Sequence, residues 1–282
     1  MADSLVRRVA LVSQSARLSF AAVAVAAAAL NKQVARDLGP AWDLNATVDA
    51  FRSLRDVPAD AWPILFRDRI GEPGALGYHT DSRGQPYALV TAAPGWTQTA
   101  SHELAEMLVD PFGNRLIAGP HPADPARRVL YLVEVSDPSE THSYRIDGVA
   151  VSDFYLPAYF DPVVAPGARY SFMGAITAPR QVLPGGYLSF YDPAAKRWGQ
   201  ARFFSGRRPI VANMQLDGRG SLREQVDRVT LPAQAAAAHG GARLAMLLAP
   251  AGEECVDAAV EEGASEASAA RAEALEAEIA GG

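Results

Sequence analysis

The order of elements near the N-terminus constrains the fold of this chain more than any other feature. An apolar run at residues 6–12 is followed by an alanine-rich stretch at 17–38 and by a strand-like segment at 44–51. This succession has the spacing of a β-α-β unit, in which a helix joins two strands of one sheet. Gly39 and Pro40 are expected to end the helix, as its C-cap and as a residue that cannot continue it.

The apolar part of the alanine-rich stretch, residues 18–30, also has the character of a signal peptide, because arginines precede it. It is too short to span a bilayer. Polar residues from Asn31 to Asp37 continue the helical register beyond the apolar run, which a cleavage region does not require. We therefore expect an internal helix, no signal peptide, and a cytoplasmic protein without a membrane partner.

The rest of the chain divides into a short α/β part and a β-rich part. Residues 61–67 and those near 86–92 are strand-like, with a loop at 71–77 between them. Beyond residue 115, short β-prone runs broken by proline and glycine predict irregular sheet. These runs lie at residues 149–155, 170–176, 187–191 and 202–204.

The C-terminal part begins at the glycines of residues 218–220. Ser221 and Glu224 follow as the capping box of a short helix. From about residue 252 the chain is rich in Ala and Glu, with few large apolar residues, which is typical of an acidic surface appendage.

These elements predict an α+β fold. We expect a core at residues 1–220, made of an α/β half at 1–115 and a β-rich half at 116–220, and a C-terminal extension with an acidic tail at 221–282. A length of 282 residues with 49% hydrophobic content allows a substantial core. The net charge of −6, with interspersed signs, argues against a nucleic-acid partner. Cys255 is the only cysteine, so an internal disulfide and a cysteine-based zinc site are both excluded.

The stretch at residues 102–110 carries the chemistry of the chain. It begins H-E-x-x-E and is expected to be a helix that ends before Pro111. The candidate N-cap residues are Thr97, Thr99 and Ser101. On a helix, His102 and Glu106 lie about 40° apart and one turn along, so both can bind one metal ion. Glu103 lies about 100° from His102, within reach of a metal-bound water without being a ligand. The alternative is a surface helix whose charges are solvated.

The residue that completes such a site is expected downstream of the helix. Asp110 lies about 12 Å from His102 along a straight helix axis, too far for two bonds of about 2 Å to one ion. The apolar run at residues 129–135 is strand-like and delivers Glu134 and Asp137 at its end. The alternatives are an edge-strand charge for Glu134 and an ordinary turn for Asp137.

The pattern S-H-E-x-x-E-x-x-x-D-P resembles zincin-type metallopeptidases, and more narrowly poorly characterised bacterial and phage-encoded proteins. In that group, segments similar to residues 134–140 and 151–160 follow the helix, and the similarity covers roughly residues 5–200. His102 matches the first zincin ligand and Glu103 the catalytic glutamate. Glu106 stands where the second histidine is usual, and a carboxylate there lowers both the net charge of the site and the acidity of bound water.

The resemblance implies a zincin-like N-terminal half, with a mixed sheet and the motif helix, and a zinc-dependent peptidase acting on a peptide or protein. The metal, Zn²⁺ or another divalent cation, would be held by His102, Glu106 and a downstream carboxylate, Glu134 or Asp137, which leaves a position open for water. Asp110 would be a neighbouring or alternative ligand. Glu103 would accept the proton of the metal-bound water as general base. Residues 85–90 would be an edge strand that holds an extended peptide by β-augmentation.

Two other interpretations stay open. One is a catalytically inactive zincin-like structural or interaction protein, for example in a phage-derived assembly, and secretion or association with a phage particle would fit it. The other is a calcium site, which oxygen-rich ligation favours and His102 disfavours.

Several further residues are weaker candidates for the site. His79 could reach it, although a lone loop histidine is more often solvated, and His142 is a similar case. Three tyrosines could supply a phenol that stabilises an oxyanion, or could simply be packed: Tyr144, Tyr155 and Tyr159.

Overall fold

The computed structural model describes residues 6–71 and 75–240, together with Ala274, Leu275 and Ala277. The described part of the chain is α+β, as predicted, with a five-stranded mixed sheet, a five-stranded antiparallel sheet and a two-stranded hairpin. None of its helices combines the length and the apolar character that crossing a bilayer requires.

The first sheet contains five strands in the order β2-β1-β3-β5-β4. Its members are β1 (Val6–Ser13), β2 (Asn45–Phe51), β3 (Ala61–Arg67), β4 (Gly77–Ser82) and β5 (Gln85–Thr91). Strands β1, β2, β3 and β5 are parallel, and β4 is antiparallel to β5. Alternate residues of β1 and β3 face opposite sides, so that Leu11 and Ile64 join one apolar cluster while Val12 and Leu65 join another.

The predicted β-α-β unit is present at the N-terminus. Helix α1 (Phe20–Gln33) begins at Ser19, whose side chain accepts a hydrogen bond from the Ala22 N–H, and it connects the parallel strands β1 and β2. The predicted stop at Gly39 and Pro40 is wrong. The chain continues through a π-helical turn (Val34–Leu38) into the short helix α2 (Gly39–Trp42), because proline is tolerated in a first helical turn.

The edge of the first sheet differs from the expectation. Strand β4 is the edge, and β5 is paired on both sides, so the prediction that residues 85–90 offer a free edge to a peptide is wrong. The two strands are joined by a tight turn at Arg83 and Gly84, both with positive φ (51° and 81°). This left-handed pair is typical of a two-residue hairpin.

The motif helix, α3 (Trp96–Val109), begins earlier than predicted. It follows Gly95, whose φ of 87° suits glycine, so the expected N-caps at residues 97, 99 and 101 all lie inside the helix. Asp110 ends it, as the following proline predicts. Every residue at 100–109 is buried, because the helix lies between strands β4 and β5 on one side and a two-stranded hairpin on the other.

The C-terminal half of the core is an antiparallel sheet with the order β12-β11-β10-β7-β6, plus the hairpin against α3. The sheet strands are β6 (Leu116–His121), β7 (Asp124–Leu132), β10 (Tyr187–Asp192), β11 (Arg197–Arg202) and β12 (Ile210–Met214). The hairpin strands are β8 (Ser143–Ile146) and β9 (Val149–Ser152). The expected strand at residues 170–176 is replaced by a single bridge between Tyr155 and Ser171.

Helix α4 (Leu222–Gly240) begins at the predicted capping box: the Ser221 side chain accepts from the Glu224 N–H, and Glu224 accepts from the Ser221 N–H. The helix is part of the core, since Val226 packs against Leu132 of β7. The predicted acidic appendage lies mostly outside the described residues. At Leu275, which is 4% exposed and packs in the cluster on the second face of the first sheet, the expectation of a surface position is wrong.

Candidate metal centre

Helix α3 brings three ionisable side chains into the interior. His102, Glu103 and Glu106 are 8%, 3% and 0% exposed. The helix can bury them only because the carboxylates and imidazoles of neighbouring elements meet them there; an isolated buried charge would cost several kcal/mol.

The first group of ligand-type atoms joins the helix to the segment after β7. His102 Nε2 lies 3.3 Å from Glu106 Oε1 and 3.2 Å from Asp137 Oδ1. Asp137 begins a short 3-10 helix (Asp137–Ser139), and the Ser136 N–H donates to Glu106 Oε1 at 3.1 Å. We call His102, Glu106 and Asp137 the His102 triad.

The second group joins the same helix to the edge strand. His79 Nδ1 of β4 lies 3.5 Å from Glu103 Oε2 and 3.7 Å from Glu106 Oε2. His79 is completely buried, so the prediction of a solvated loop histidine is wrong. We call His79, Glu103 and Glu106 the His79 triad.

The orientation of His79 follows from its other ring nitrogen. Nε2 lies 3.2 Å from the backbone oxygen of Asp110, which can only accept a hydrogen bond, so Nε2 carries a proton. In the neutral ring, Nδ1 then presents a lone pair to the carboxylates of Glu103 and Glu106. Two carboxylates and a lone pair repel one another unless a proton or a metal ion lies between them.

Several buried polar atoms around the two triads have no hydrogen-bond partner among the described residues. They are His79 Nδ1, Glu103 Oε2, Glu106 Oε2, Asp137 Oδ1, both carboxylate oxygens of Glu134, Tyr155 Oη and Arg223 Nε. Unsatisfied buried groups are rare in folded proteins, and a cluster of them calls for an explanation such as an ion. Most are acceptors, so a proton or a metal ion could satisfy them.

Arg223, from the first turn of α4, is the fixed positive charge of the cluster. Its Nη1 lies 3.0 Å from Glu134 Oε2 and 3.1 Å from Asp137 Oδ2, and its Nη2 lies 3.8 Å from Glu106 Oε2. Its Nε lies 3.3 Å from Asp227 Oδ2, one turn further along the helix. One guanidinium therefore faces four carboxylates.

The pKa values of four groups in the cluster are raised. Burial lowers the pKa of His102, but the carboxylates of Glu106 and Asp137 outweigh it and raise the pKa well above the ordinary value. Burial also lowers the pKa of His79, but the neighbouring carboxylates of Glu103 and Glu106 outweigh it, so the pKa is raised. Burial raises the pKa of Asp227 to about 7 and that of Glu134 well above its usual range, although Arg223 opposes both shifts. All four shifts favour the protonated form of the group concerned.

The predicted site residues are thus divided by the fold. His102, Glu106 and Asp137 come together, and Glu103 lies beside them in the other triad. Glu134 lies against Arg223 rather than in either triad, and Asp110 Oδ2 accepts from the Arg115 N–H at 2.7 Å.

The weaker candidates are also placed. The Tyr144 hydroxyl donates to Asp37 at 2.8 Å and the Tyr159 hydroxyl to the Gln181 backbone at 3.1 Å, both outside the triads. Tyr155 is buried, and burial raises the pKa of its phenol well above the ordinary value. The charges of Glu134, Glu106 and Asp137 also raise this pKa, which indicates that the phenol lies near the cluster. His142 lies in the turn before β8, where Nδ1 is 3.5 Å from the hydroxyl of Thr141.

Two features of the cluster are not evident from the sequence: the burial of His79 in β4 and the presence of Arg223 from α4. Gly84 was a signal for the hairpin that buries His79, because a glycine after a short polar run is typical of a tight turn. An arginine in a first helical turn is disfavoured by the helix dipole, so Arg223 required acidic neighbours, but nothing local says which.

The separations within the triads suit metal ligands. Bonds of about 2.0–2.2 Å in a tetrahedral site put ligand atoms about 3.3–3.6 Å apart. The distances from the two imidazole nitrogens to the carboxylates, 3.2 and 3.3 Å in one triad and 3.5 and 3.7 Å in the other, lie close to that range. Imidazole nitrogen with carboxylate oxygen is a donor set that Zn²⁺, Fe²⁺ and Mn²⁺ accept. The arrangement can hold a divalent cation with small shifts of side chains.

No protein-family model, curated protein or solved structure matches this chain.

Proposed function

We propose that the chain is a metalloprotein that binds Zn²⁺ or a similar divalent cation at the His102 triad and uses it to hydrolyse peptide bonds. In this proposal the N-terminal half is zincin-like, and α3 is its metal-binding helix. The mixed sheet with α3 packed on it supports that interpretation.

One observation carries the metal proposal. Asp137 Oδ1 lies 3.2 Å from His102 Nε2 and yet has no hydrogen-bond partner among the residues described. A buried carboxylate oxygen at ligand distance from an imidazole, and not hydrogen-bonded to it, is in the position that a shared metal ion requires.

The exposure of the triad supports a reactive rather than a closed centre. Three protein ligands leave a further coordination position for water or substrate. The side chain of His102 is 10% exposed, against 0% for Glu106 and 2% for Asp137, so access would be from the His102 side. A divalent ion there supplies an activated water, and Glu103 would accept its proton.

A second function is favoured by the surroundings of Glu103. Its side chain is 4% exposed, and strand β4 lies so close that a Cβ on Gly77 would be 2.8 Å from Glu103 Oε1. A base covered in this way is poorly placed for a substrate. The second candidate is therefore a catalytically inactive metal-binding module with a structural or interaction role.

A digest of a broad peptide library separates the two candidates. The wild type is expected to cleave, and a chelator is expected to abolish cleavage. Glu103→Gln is expected to retain metal and to lose about 10²–10⁴-fold in rate, as loss of a positioned base predicts. Asp60→Asn is the matched control, because this exposed carboxylate pairs with Arg8 at the surface and its removal leaves the centre intact.

The outcomes decide between the proposals. Equal cleavage by the wild type and Glu103→Gln would assign the activity to a contaminant. Absence of cleavage by a metal-loaded wild type would reject the peptidase and leave the inactive module.

A further inference from the structure

Glu106 is shared by both triads, and it uses a different oxygen in each. Oε1 lies 3.3 Å from His102 Nε2, whereas Oε2 lies 3.7 Å from His79 Nδ1. A carboxylate whose two oxygens face two separate imidazoles has the geometry of a bridging ligand rather than that of a ligand to one ion.

The two triads are also separate in space. Within each triad all ligand atoms lie within 4.8 Å of one another, but the two do not merge into one larger group within that limit. Ligands of a single ion at about 2.0–2.2 Å can be no more than about 4.4 Å apart. One ion therefore cannot bind all five residues of the two triads unless the side chains move.

The His79 triad has features of a site in its own right. His79 Nδ1, Glu103 Oε2 and Glu106 Oε2 are buried and have no hydrogen-bond partner in the part of the chain that the structure describes. The second ring nitrogen of His79 lies 3.2 Å from the backbone oxygen of Asp110. A hydrogen bond from the distal N–H to a carbonyl is the arrangement by which proteins orient a metal-binding histidine.

We propose that the His79 triad holds a second divalent cation, so that Glu106 bridges a two-metal centre. The inference rests on the proposed function, because it extends the same cluster. In the two-metal centre Glu103 Oε2 would bind the second ion, and the role of Glu103 as a base applies to the form that holds only the ion of the His102 triad. Two ions about 3.5–4 Å apart would then share the activation of water and the stabilisation of the leaving group.

One neighbour opposes the second ion. Arg223 Nη2 lies 3.8 Å from Glu106 Oε2, so a cation at the His79 triad would be repelled by the guanidinium. Its Nη1 is held between Glu134 and Asp137, and its Nε faces Asp227, which keeps the charge on that side of Glu106. We therefore expect the His79 triad to bind its ion more weakly than the His102 triad.

The test is a titration of the metal-free full chain with Zn²⁺, by equilibrium dialysis and elemental analysis, repeated with Mn²⁺ and followed by electron paramagnetic resonance. The wild type is expected to bind two equivalents, the second more weakly than the first. The Mn²⁺ signal of the first equivalent is expected to weaken and broaden as the second ion couples to it. This readout needs no variant.

Variants then assign the two equivalents. His79→Gln is expected to keep one equivalent and to lose the coupling, and Asp137→Asn to lose the tighter equivalent. His121→Gln is the matched control, since this histidine contacts Phe190 edge-to-face, outside both triads, and the variant is expected to behave as the wild type. Circular dichroism checks that each variant is folded.

The failures are distinguishable. One equivalent in the wild type, retained by His79→Gln and lost by Asp137→Asn, would overturn the second site and leave the proposed function intact. One equivalent that His79→Gln abolishes would overturn both assignments. No bound metal at all would reject the proposed function itself.

Discussion

The two triads use the same types of ligand but differ in their surroundings. The His102 triad joins α3 to the segment after β7, and the side chain of its His102 is 10% exposed. The His79 triad joins α3 to an edge strand, and its side chains are at most 4% exposed. Both draw on Glu106. The comparison shows that one helical motif can contribute ligands to two neighbouring groups. The side chains of residues 102, 103 and 106 leave the helix at different angles, so they reach different neighbouring elements.

The largest effect is expected from the residue common to both triads. Glu106→Gln keeps the shape but removes the charge, so both triads should lose metal. His102 and Arg223 would also lose a buried partner, which typically costs about 3–5 kcal/mol. Metal analysis and thermal unfolding of the metal-free protein measure the two effects. If Glu106→Gln binds metal as tightly as the wild type, Glu106 does not connect the triads.

The next prediction distinguishes Asp137 from Asp110 as the third ligand of the metal ion. Asp137→Ala should weaken metal binding at the His102 triad by more than the roughly 10–100-fold that loss of an outer partner causes. Asp110→Ala should have a smaller effect, because the Asp110 carboxylate accepts from the Arg115 N–H instead of facing the triad. Competition with a chelator of known affinity measures both. The opposite order would mean that the helix end moves when metal binds.

Glu134 gives an intermediate case. It was predicted as a ligand, but it lies 3.0 Å from Arg223 Nη1. Glu134→Gln should therefore change metal affinity less than Asp137→Ala does, while it disturbs Arg223. An equal loss in the two variants, measured in the same chelator competition, would return Glu134 to the ligand set.

A smaller and graded effect is expected from pH. Burial lowers the pKa of His102, but Glu106 and Asp137 raise it further, so the net shift is upward. The metal-free fold therefore gains stability from the protonated ring. This contribution is complete below the unfolded pKa of about 6.5 and is lost as pH rises through the folded value. Metal binding needs the neutral ring, so metal affinity should rise by about tenfold per pH unit for each proton displaced.

The difference in melting temperature between metal-loaded and metal-free protein should consequently widen from about pH 6 to about pH 8, with scanning calorimetry as the measurement. A difference that stays constant with pH would exclude His102 as a ligand.

Local patterns were sufficient to predict the β-α-β unit and the helix that carries the motif. Strand β3 lies at its predicted residues, because its apolar run is continuous and contains branched and aromatic side chains. The short polar sequence of β4 gave no such signal, since it becomes a strand only by pairing with β5. The sequence alone therefore predicts a loop at His79.

Long-range packing also explains why the predicted boundary at residue 220 divided the cluster. Arg223 follows that boundary, yet it contacts Asp137 and Glu134 from a distant part of the chain. An arginine can be buried only where the fold brings carboxylates to it, and the spacing of residues in the sequence does not predict which carboxylates these are. The motif helix could thus be predicted, whereas the partners that surround it required the tertiary structure.

The central claim is that this cluster binds a divalent cation. Elemental analysis of the purified full chain, followed by thermal unfolding with and without a chelator, tests it most directly. The account predicts at least one equivalent of a transition metal and a melting temperature that falls by about 5–10 °C on chelation, as expected for loss of a ligand present at about 100 times its dissociation constant. Metal content near zero, with a melting curve that neither chelator nor added Zn²⁺ shifts, would contradict it and leave the cluster as a network of protons and ion pairs around Arg223.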